Sequence, residues 1–207
     1  MIRVFFGSPG CGKTTYAVKT LKRAKRYKYL MCNFETAGLP CAFLDSADMN
    51  TLGQWTPPPN TLLCVDEAGI EYNNRKYKTL SQSVIQWYKL HRHYGVDVDI
   101  YSQSWDDMDI TLRRLAEQLW YMRRVGPWTI LRRVHKRVTV NQETEQIIDG
   151  YRMEKGIWLI LQPLRLIGLG KLFRQLYGWR LCFRPFYYKY FDSWSTPDTP
   201  VRYPEQR

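Results

Sequence analysis

The pattern of apolar and polar residues predicts alternating strands and helices over the first 126 residues. Short apolar runs typical of buried parallel strands alternate with segments whose apolar residues recur at helical spacing. Strands are predicted at 2–6, 27–34, 61–66, 96–101 and 119–124. Helices are predicted at 14–24, 80–94 and 106–118. This alternation indicates an α/β fold, with a mostly parallel sheet flanked by helices and joined by right-handed crossovers.

The pattern changes after Pro127. The stretch TILRRVHKRVTV, residues 129–140, alternates with a period of two, which predicts a β-ribbon or hairpin outside the core. We therefore divide the chain into a core at 1–126 and a β-rich C-terminal appendage at 127–207, which ends in a proline-containing tail.

The most apolar segment of the chain is GIWLILQPLRLIGLG, residues 156–170. It is shorter than the roughly 20 residues that a bilayer span needs. Gln162, Pro163 and Arg165 also interrupt it. We expect this region, up to residue 173, to pack onto the core or to lie in a membrane interface.

A glycine-rich stretch, GSPGCGKTT at residues 7–15, follows the first predicted strand and opens the first predicted helix. Its spacing fits the phosphate loop G-x-x-x-x-G-K-[ST], in which backbone N–H groups converge on phosphate oxygens. Lys13 then reaches the β- and γ-phosphates, and Thr14 is placed for Mg²⁺. The predicted nucleotide-binding residues are Gly7, Ser8, Pro9, Gly10, Cys11, Gly12, Lys13, Thr14 and Thr15.

A second motif, LLCVDEAG at residues 62–69, ends an apolar strand with two carboxylates. In α/β sheets, ligands bind at the carboxyl ends of the strands. We predict that Asp66 supports Mg²⁺ together with Thr14. Glu67 is predicted to orient or deprotonate the attacking water, a role that suits a hydrolase and would be a liability in a small-molecule kinase.

A third stretch, HRHYGVDVDIYSQS at residues 91–104, places a glutamine just after a strand. We predict that Gln103 lies near the γ-phosphate, where it senses phosphate state or aligns water. Arg92 precedes the strand and could reach the nucleotide of a neighbouring subunit as an arginine finger, with Arg113 and Arg114 as alternatives. His91 and His93 lack the Cys or carboxylate spacing of a metal site.

Composition points to an anionic partner. The formal net charge is +12 over 207 residues, and basic clusters occupy 19–28 and 132–137. Tyr27 and Tyr29 could stack on single-stranded bases, although a solvated helix face is an alternative for 19–28. Five cysteines without a C-x-x-C pair predict free thiols in a reducing compartment.

The order of these motifs resembles the zonula occludens toxin-like (Zot) family of filamentous phage assembly ATPases, within the FtsK–HerA group of P-loop ATPases. The resemblance lies in GxxGxGKT, then DE, then HRHYGVDVDIYSQSWDDMDITLRRLAE, over roughly residues 1–125. It implies nucleotide roles for Gly7, Gly10, Gly12, Lys13, Thr14, Asp66, Glu67 and Gln103. The FtsK–HerA pattern also places a trans-acting arginine just before this strand, which favours Arg92 over Arg113.

The resemblance further implies an ATPase that uses Mg²⁺ and ATP to drive phage virion assembly, DNA export or DNA packaging as a homo-oligomer. It implies association with the inner membrane, and we expect this chain in the host cytoplasm, either as a soluble packaging motor or in peripheral contact with the inner membrane or coat proteins. Family members that work at a membrane typically carry a transmembrane helix after the ATPase part, and the interrupted segment at 156–173 departs from that pattern. Two alternatives stay open, a nucleotide or small-metabolite kinase and an ATP-binding interaction protein without turnover.

Overall fold

A computed structural model describes residues 1–67, 81–140, 147–153 and 178–191. Its strands are β1 Ile2–Phe6, β2 Tyr29–Cys32, β3 Ala42–Phe43, β4 Thr61–Val65, β5 Val96–Ser102, β6 Gln118–Val125, β7 Trp128–Val140, β8 Ile147–Met153 and β9 Trp179–Phe183. Its helices are α1 Lys13–Arg23, α2 Ser46–Asn50, α3 Gln82–Leu90, α4 Ile110–Leu115 and a 3₁₀ helix at Arg184–Tyr190. The apolar segment at 156–173 and the tail from residue 192 lie outside the described residues.

The strands form one mixed sheet in the order β3-β2-β4-β5-β1-β6-β7-β8, with β9 also paired to β7. All pairs among β1 to β6 are parallel. β7 pairs antiparallel with β6, β8 and β9. The predicted mostly parallel α/β sheet is therefore confirmed, and the carboxyl ends of β1, β4 and β5 lie at one edge.

Helices cover both faces of this sheet, so its central strands are buried on both sides. One face packs against α3 and α4 through a cluster that includes Val4, Val65, Ile100, Trp87, Tyr88 and Leu112. The other face packs against α1 and the 3₁₀ helix through a cluster that includes Phe5, Leu62, Tyr101, Tyr16, Leu21 and Tyr187.

A buried ion pair lies on the face covered by α1. Arg3 and Asp99 stand opposite each other in the parallel register of β1 and β5, and Arg3 Nε donates a hydrogen bond to Asp99 Oδ1. Asp99 is fully buried. A buried charge is costly unless it is paired, so each of these two side chains needs the other. Their pairing favours the register in which Arg3 of β1 stands opposite Asp99 of β5.

Two sequence expectations differ from the structure. The predicted helix at 106–118 is shorter, because Asp109 caps α4 by accepting a 2.7 Å hydrogen bond from the N–H of Thr111 and Ala116 is extended. The period-two stretch after Pro127 is a strand as predicted, but it continues the core sheet beside β6 instead of lying outside it. The division of the chain at residue 126 itself stays a prediction.

Candidate nucleotide-binding site

The loop between β1 and α1 leaves the sheet at its carboxyl edge. Gly12 directly precedes α1 with a φ of 94°, a left-handed conformation that favours glycine. A Cβ on Gly7 would lie 2.3 Å from the carbonyl oxygen of Met122 on the neighbouring strand β6. The loop therefore packs too tightly for side chains at these two positions, and it ends on the first N–H groups of a helix.

The remaining residues of the loop divide by exposure. Ser8, Pro9 and Gly10 form its exposed crest, whereas Cys11 and Thr15 are buried beneath it. The Lys13 side chain is also buried, and its Nζ donates a 3.3 Å hydrogen bond to the carbonyl of Gly7. The lysine therefore reaches back from the start of α1 to the start of the loop.

Two residues from the C-terminal part of the chain support this loop. Thr129 on β7 is buried, and its hydroxyl donates a 2.7 Å hydrogen bond to the carbonyl of Cys11. Arg184, at the start of the 3₁₀ helix, donates to the carbonyl of Gly10 at 3.4 Å and to that of Gly126 at 2.6 Å. The sequence carries no local signal for the contacts with Cys11 and Gly10, because each of them spans more than a hundred residues.

Asp66 at the end of β4 lies beside the start of α1. The Thr14 hydroxyl donates a 2.5 Å hydrogen bond to Asp66 Oδ2, and the N–H of Glu67 donates to Oδ1 at 3.0 Å. Burial raises the pKa of this carboxyl to about 6, against 3.8 ordinarily. The predicted pair of Thr14 and Asp66 is thus brought together, although the two residues stand 52 positions apart.

Glu67 and Gln103 meet at the ends of adjacent strands. Gln103 Nε2 donates a hydrogen bond to Glu67 Oε2 at 2.9 Å. Glu67 has a φ of 49°, an uncommon conformation for a residue other than glycine. Left-handed backbone at such a position is typical of functional sites, where surrounding contacts hold it in place.

A third supporting residue is Asn33, which follows β2. Its side-chain oxygen accepts a 2.6 Å hydrogen bond from the N–H of Asp66, and its Nδ2 donates to the Asp66 carbonyl at 2.9 Å. A signal for it existed, because Asn33 is a polar residue at the carboxyl end of a parallel strand.

The arginine candidates lie in different surroundings. Arg92 precedes β5 at the opposite edge of the sheet, where its Nη2 lies 2.6 Å from Glu117 Oε2 and its side chain is 66% exposed. Arg113 is buried near the Trp105 ring and 3.7 Å from Asp106, and Arg114 is exposed. The structure therefore does not bring Arg92 into the site of its own chain.

The two histidines occupy dissimilar places. His91 is buried, with Nδ1 2.7 Å from the carbonyl oxygen of Tyr88, and His93 is exposed. Within the described residues, no group of three or more His, Cys, Asp or Glu side chains is arranged to hold a metal ion.

Mg²⁺ fits the oxygen pair formed by Thr14 and Asp66. The carboxylate is buried and carries a raised pKa, so a bound cation would compensate its charge. A hydroxyl and a carboxylate are ligands that Mg²⁺ accepts, with phosphate oxygens and water completing the shell. Thr14 and Asp66 are the residues that would hold the ion.

The central sheet is parallel, and a glycine loop leads from β1 into α1. Two carboxylates follow β4, which β5 separates from β1 in the sheet. These features define the P-loop NTPase-like fold. The chain matches the zonular occludens toxin (Zot) family over residues 21–156, more than half of its length. It belongs to that family, and the matched range begins after the phosphate loop.

Two solved structures are similar to this chain, and the first of them shows the same fold. The N-terminal domain of zonular occludens toxin from Neisseria meningitidis is similar at 19% sequence identity and a TM-score of 0.53, covering 76% of this chain and 96% of that one. The genome packaging NTPase B204 from Sulfolobus turreted icosahedral virus 2, in complex with ATP-gammaS, is 13% identical with a TM-score of 0.45, covering 72% and 95%. A comparison with curated proteins gives no match.

The described part of the chain contains no helix with the length and apolarity that a membrane crossing requires.

Proposed function

We propose that this chain is an ATPase that hydrolyses Mg·ATP to drive DNA movement in phage virion assembly, DNA export or DNA packaging. The observation that carries the proposal is the meeting of four functional groups at one sheet edge. The Thr14–Asp66 pair joins the phosphate loop to the end of β4, and Glu67 with Gln103 stands at the adjoining strand ends.

The loop is suited to hold the phosphates of ATP. Backbone N–H groups at the start of α1 would bind phosphate oxygens, and Lys13 would exchange its bond to the Gly7 carbonyl for the β- and γ-phosphates. Mg²⁺, when bound at Thr14 and Asp66, would offset charge on the phosphate oxygens.

Glu67 is the residue that we assign as general base. Its carboxylate would take a proton from water as the water oxygen bonds to the γ-phosphorus and the bond to the β-phosphate oxygen breaks, leaving ADP and phosphate. Gln103 occupies one oxygen of that carboxylate, so the other oxygen is available to the water. A base aimed at water favours a hydrolase over a kinase.

The basic surface supports DNA as the partner. Arg23 and Lys25 are exposed near the end of α1, whereas the Arg26 guanidinium lies 3.2 Å from the Asp97 carboxylate. Part of the cluster serves the fold instead, because Lys19 donates to the Leu181 carbonyl and Lys22 to the Tyr190 hydroxyl. The net charge of +12 would make binding strongly salt-dependent.

Arg92 is our proposed trans-acting residue in a homo-oligomer. It stands at the edge opposite the phosphate loop, exposed and held by Glu117. From there it could serve the site of a neighbouring subunit, where an arginine stabilises charge that develops on the phosphates. We place the assembly in the host cytoplasm, with peripheral contacts to the inner membrane or to coat proteins.

The test of the DNA role is ATP turnover with and without single- and double-stranded DNA at low and high salt. We expect DNA to stimulate turnover at low salt, and the double variant Arg23→Gln/Lys25→Gln to lose most of that stimulation. Lys89→Gln is the control, because Lys89 is exposed on α3 at the other face of the sheet. Turnover that DNA never changes would contradict the DNA role, and nucleotide binding without turnover would favour an interaction protein.

A further inference from the structure

A cluster of aromatic side chains stands where β7 begins and β9 ends, and we call it the aromatic platform. It consists of Trp128, Phe183 and Phe186. The rings of Trp128 and Phe183 are 4.8 Å apart, as are those of Phe183 and Phe186. Trp128 is 43% exposed and Phe186 is 68% exposed, so both rings reach solvent.

The aromatic platform is tied to the phosphate loop. Arg184 follows Phe183, and its guanidinium joins the carbonyl of Gly10 in the loop to the carbonyl of Gly126 in the β6–β7 turn. The N–H of Arg184 also donates to the Pro127 carbonyl at 3.0 Å. One buried side chain thus holds the aromatic residues beside the loop crest.

The strand order indicates the direction in which a bound nucleotide extends along the sheet edge. β5 and β4, on one side of β1, carry Gln103, Asp66 and Glu67 at their carboxyl ends, whereas β6 and β7 lie on the other side. A triphosphate whose γ-phosphate lies near Glu67 therefore extends its nucleoside towards the β6–β7 turn. The aromatic platform stands at that turn.

We propose that the aromatic platform is the nucleobase subsite, in which Phe186 and Trp128 stack on the purine of the bound nucleotide. This inference rests on the proposed function. Stacking uses the ring face that both purines present, so the subsite accepts ATP and GTP alike. Pyrimidine nucleotides bind more weakly, because their single ring offers a smaller face. Phe186 and Trp128 would contribute affinity for the nucleoside and none for the phosphates.

The test compares the affinities of ATP and inorganic triphosphate, both with Mg²⁺, by calorimetry. We expect Phe186→Ala and Trp128→Ala each to weaken ATP binding about tenfold, the loss that removal of one base–aromatic stack produces. Triphosphate binding should stay unchanged. Phe186→Tyr should keep most of the ATP affinity, and Phe43→Ala, which removes an exposed ring from the distant edge strand β3, should change neither ligand.

The following results would overturn the inference. Equal weakening of ATP and triphosphate would show that the aromatic platform supports the loop, and unchanged ATP affinity would show that it does not touch the base. A changed oligomeric state in light scattering, with unchanged ATP affinity, would assign it to a subunit contact. If Lys13→Ala binds both ligands as well as the unaltered chain does, the proposed function fails first and this inference fails with it.

Discussion

The side-chain amide of Gln103 donates a hydrogen bond to the carboxylate of Glu67, with 2.9 Å between Nε2 and Oε2. The two residues follow neighbouring parallel strands, so the sheet itself sets the distance between them. Glu67 has a left-handed backbone conformation, which persists only where surrounding contacts hold it, and the hydrogen bond from Gln103 is one of these contacts. The contact links the position of the proposed base to β5.

The first prediction concerns this contact. Gln103→Ala should slow ATP turnover by about ten- to a hundredfold, because Glu67 would lose its orientation while the phosphate loop stays intact. ATP affinity should change less than about threefold, because we expect the amide to touch no phosphate in the ground state. The measurement is kcat beside calorimetric affinity, with Gln54→Ala as an exposed glutamine control. Loss of affinity without a change in kcat would contradict the orienting role.

The second prediction concerns pH and Asp66. The pKa of this carboxyl is about 6 in the folded chain and 3.8 ordinarily, so the folded state binds the proton more tightly. Its contribution to stability is therefore full below pH 4 and is lost as pH rises through 6. Between pH 5 and 7, the unliganded chain should lose about 1 kcal/mol of unfolding free energy relative to Asp66→Asn.

Urea denaturation of both proteins at several pH values measures this difference. Because all other titrating groups are shared, subtraction isolates Asp66. A constant difference across the range would contradict the raised pKa.

The third prediction concerns the buried ion pair. Asp99→Asn removes the charge that compensates Arg3 inside the core, and breaking a buried pair costs about 3–5 kcal/mol. We expect a loss of that size in the free energy of unfolding. Asp106→Asn is the matched control, since the Asp106 side chain is 79% exposed and its contact with Arg113 spans 3.7 Å. Equal effects of the two substitutions would contradict the assigned role of Asp99.

The fourth prediction concerns Arg92 and its proposed action across a subunit boundary. Arg92→Ala and Lys13→Ala should each lack turnover. Arg92→Ala lacks the trans-acting arginine, and Lys13→Ala does not bind nucleotide. An equal mixture should recover up to about a quarter of normal turnover, since some subunits would then pair an intact loop with a neighbour's arginine. A mixture as inactive as its components would contradict action in trans, and an active Arg92→Ala protein would remove the role altogether.

Much of the candidate site could be predicted because its residues lie in short, ordered motifs. Thr14 ends a recognisable glycine loop and Asp66 follows a recognisable strand, and parallel strands bring their carboxyl ends to one edge. The sheet class followed from the alternation of apolar runs with helical segments. The position of Gln103 beside Glu67 followed from the same topology.

The supporting contacts could not be predicted in this way. Thr129 reaches Cys11 across 118 residues and Arg184 reaches Gly10 across 174, and no local pattern encodes such pairs. Period-two alternation indicated that residues 129–140 form a strand, but it carries no information on which edge the strand joins. The start of α4 was placed too early because Asp106, Asp107 and Asp109 all suit a helix start, and only Asp109 forms the cap.

The most direct test of the proposed ATPase is phosphate release from Mg·ATP by the purified chain, beside Lys13→Ala and Glu67→Gln. We expect turnover by the unaltered chain, no nucleotide binding by Lys13→Ala, and a loss of at least about a hundredfold in kcat with retained ATP binding by Glu67→Gln. Glu67→Gln that hydrolyses ATP as fast as the unaltered chain would contradict the assignment of Glu67 as the base, and ATP binding that survives Lys13→Ala would contradict the phosphate loop itself.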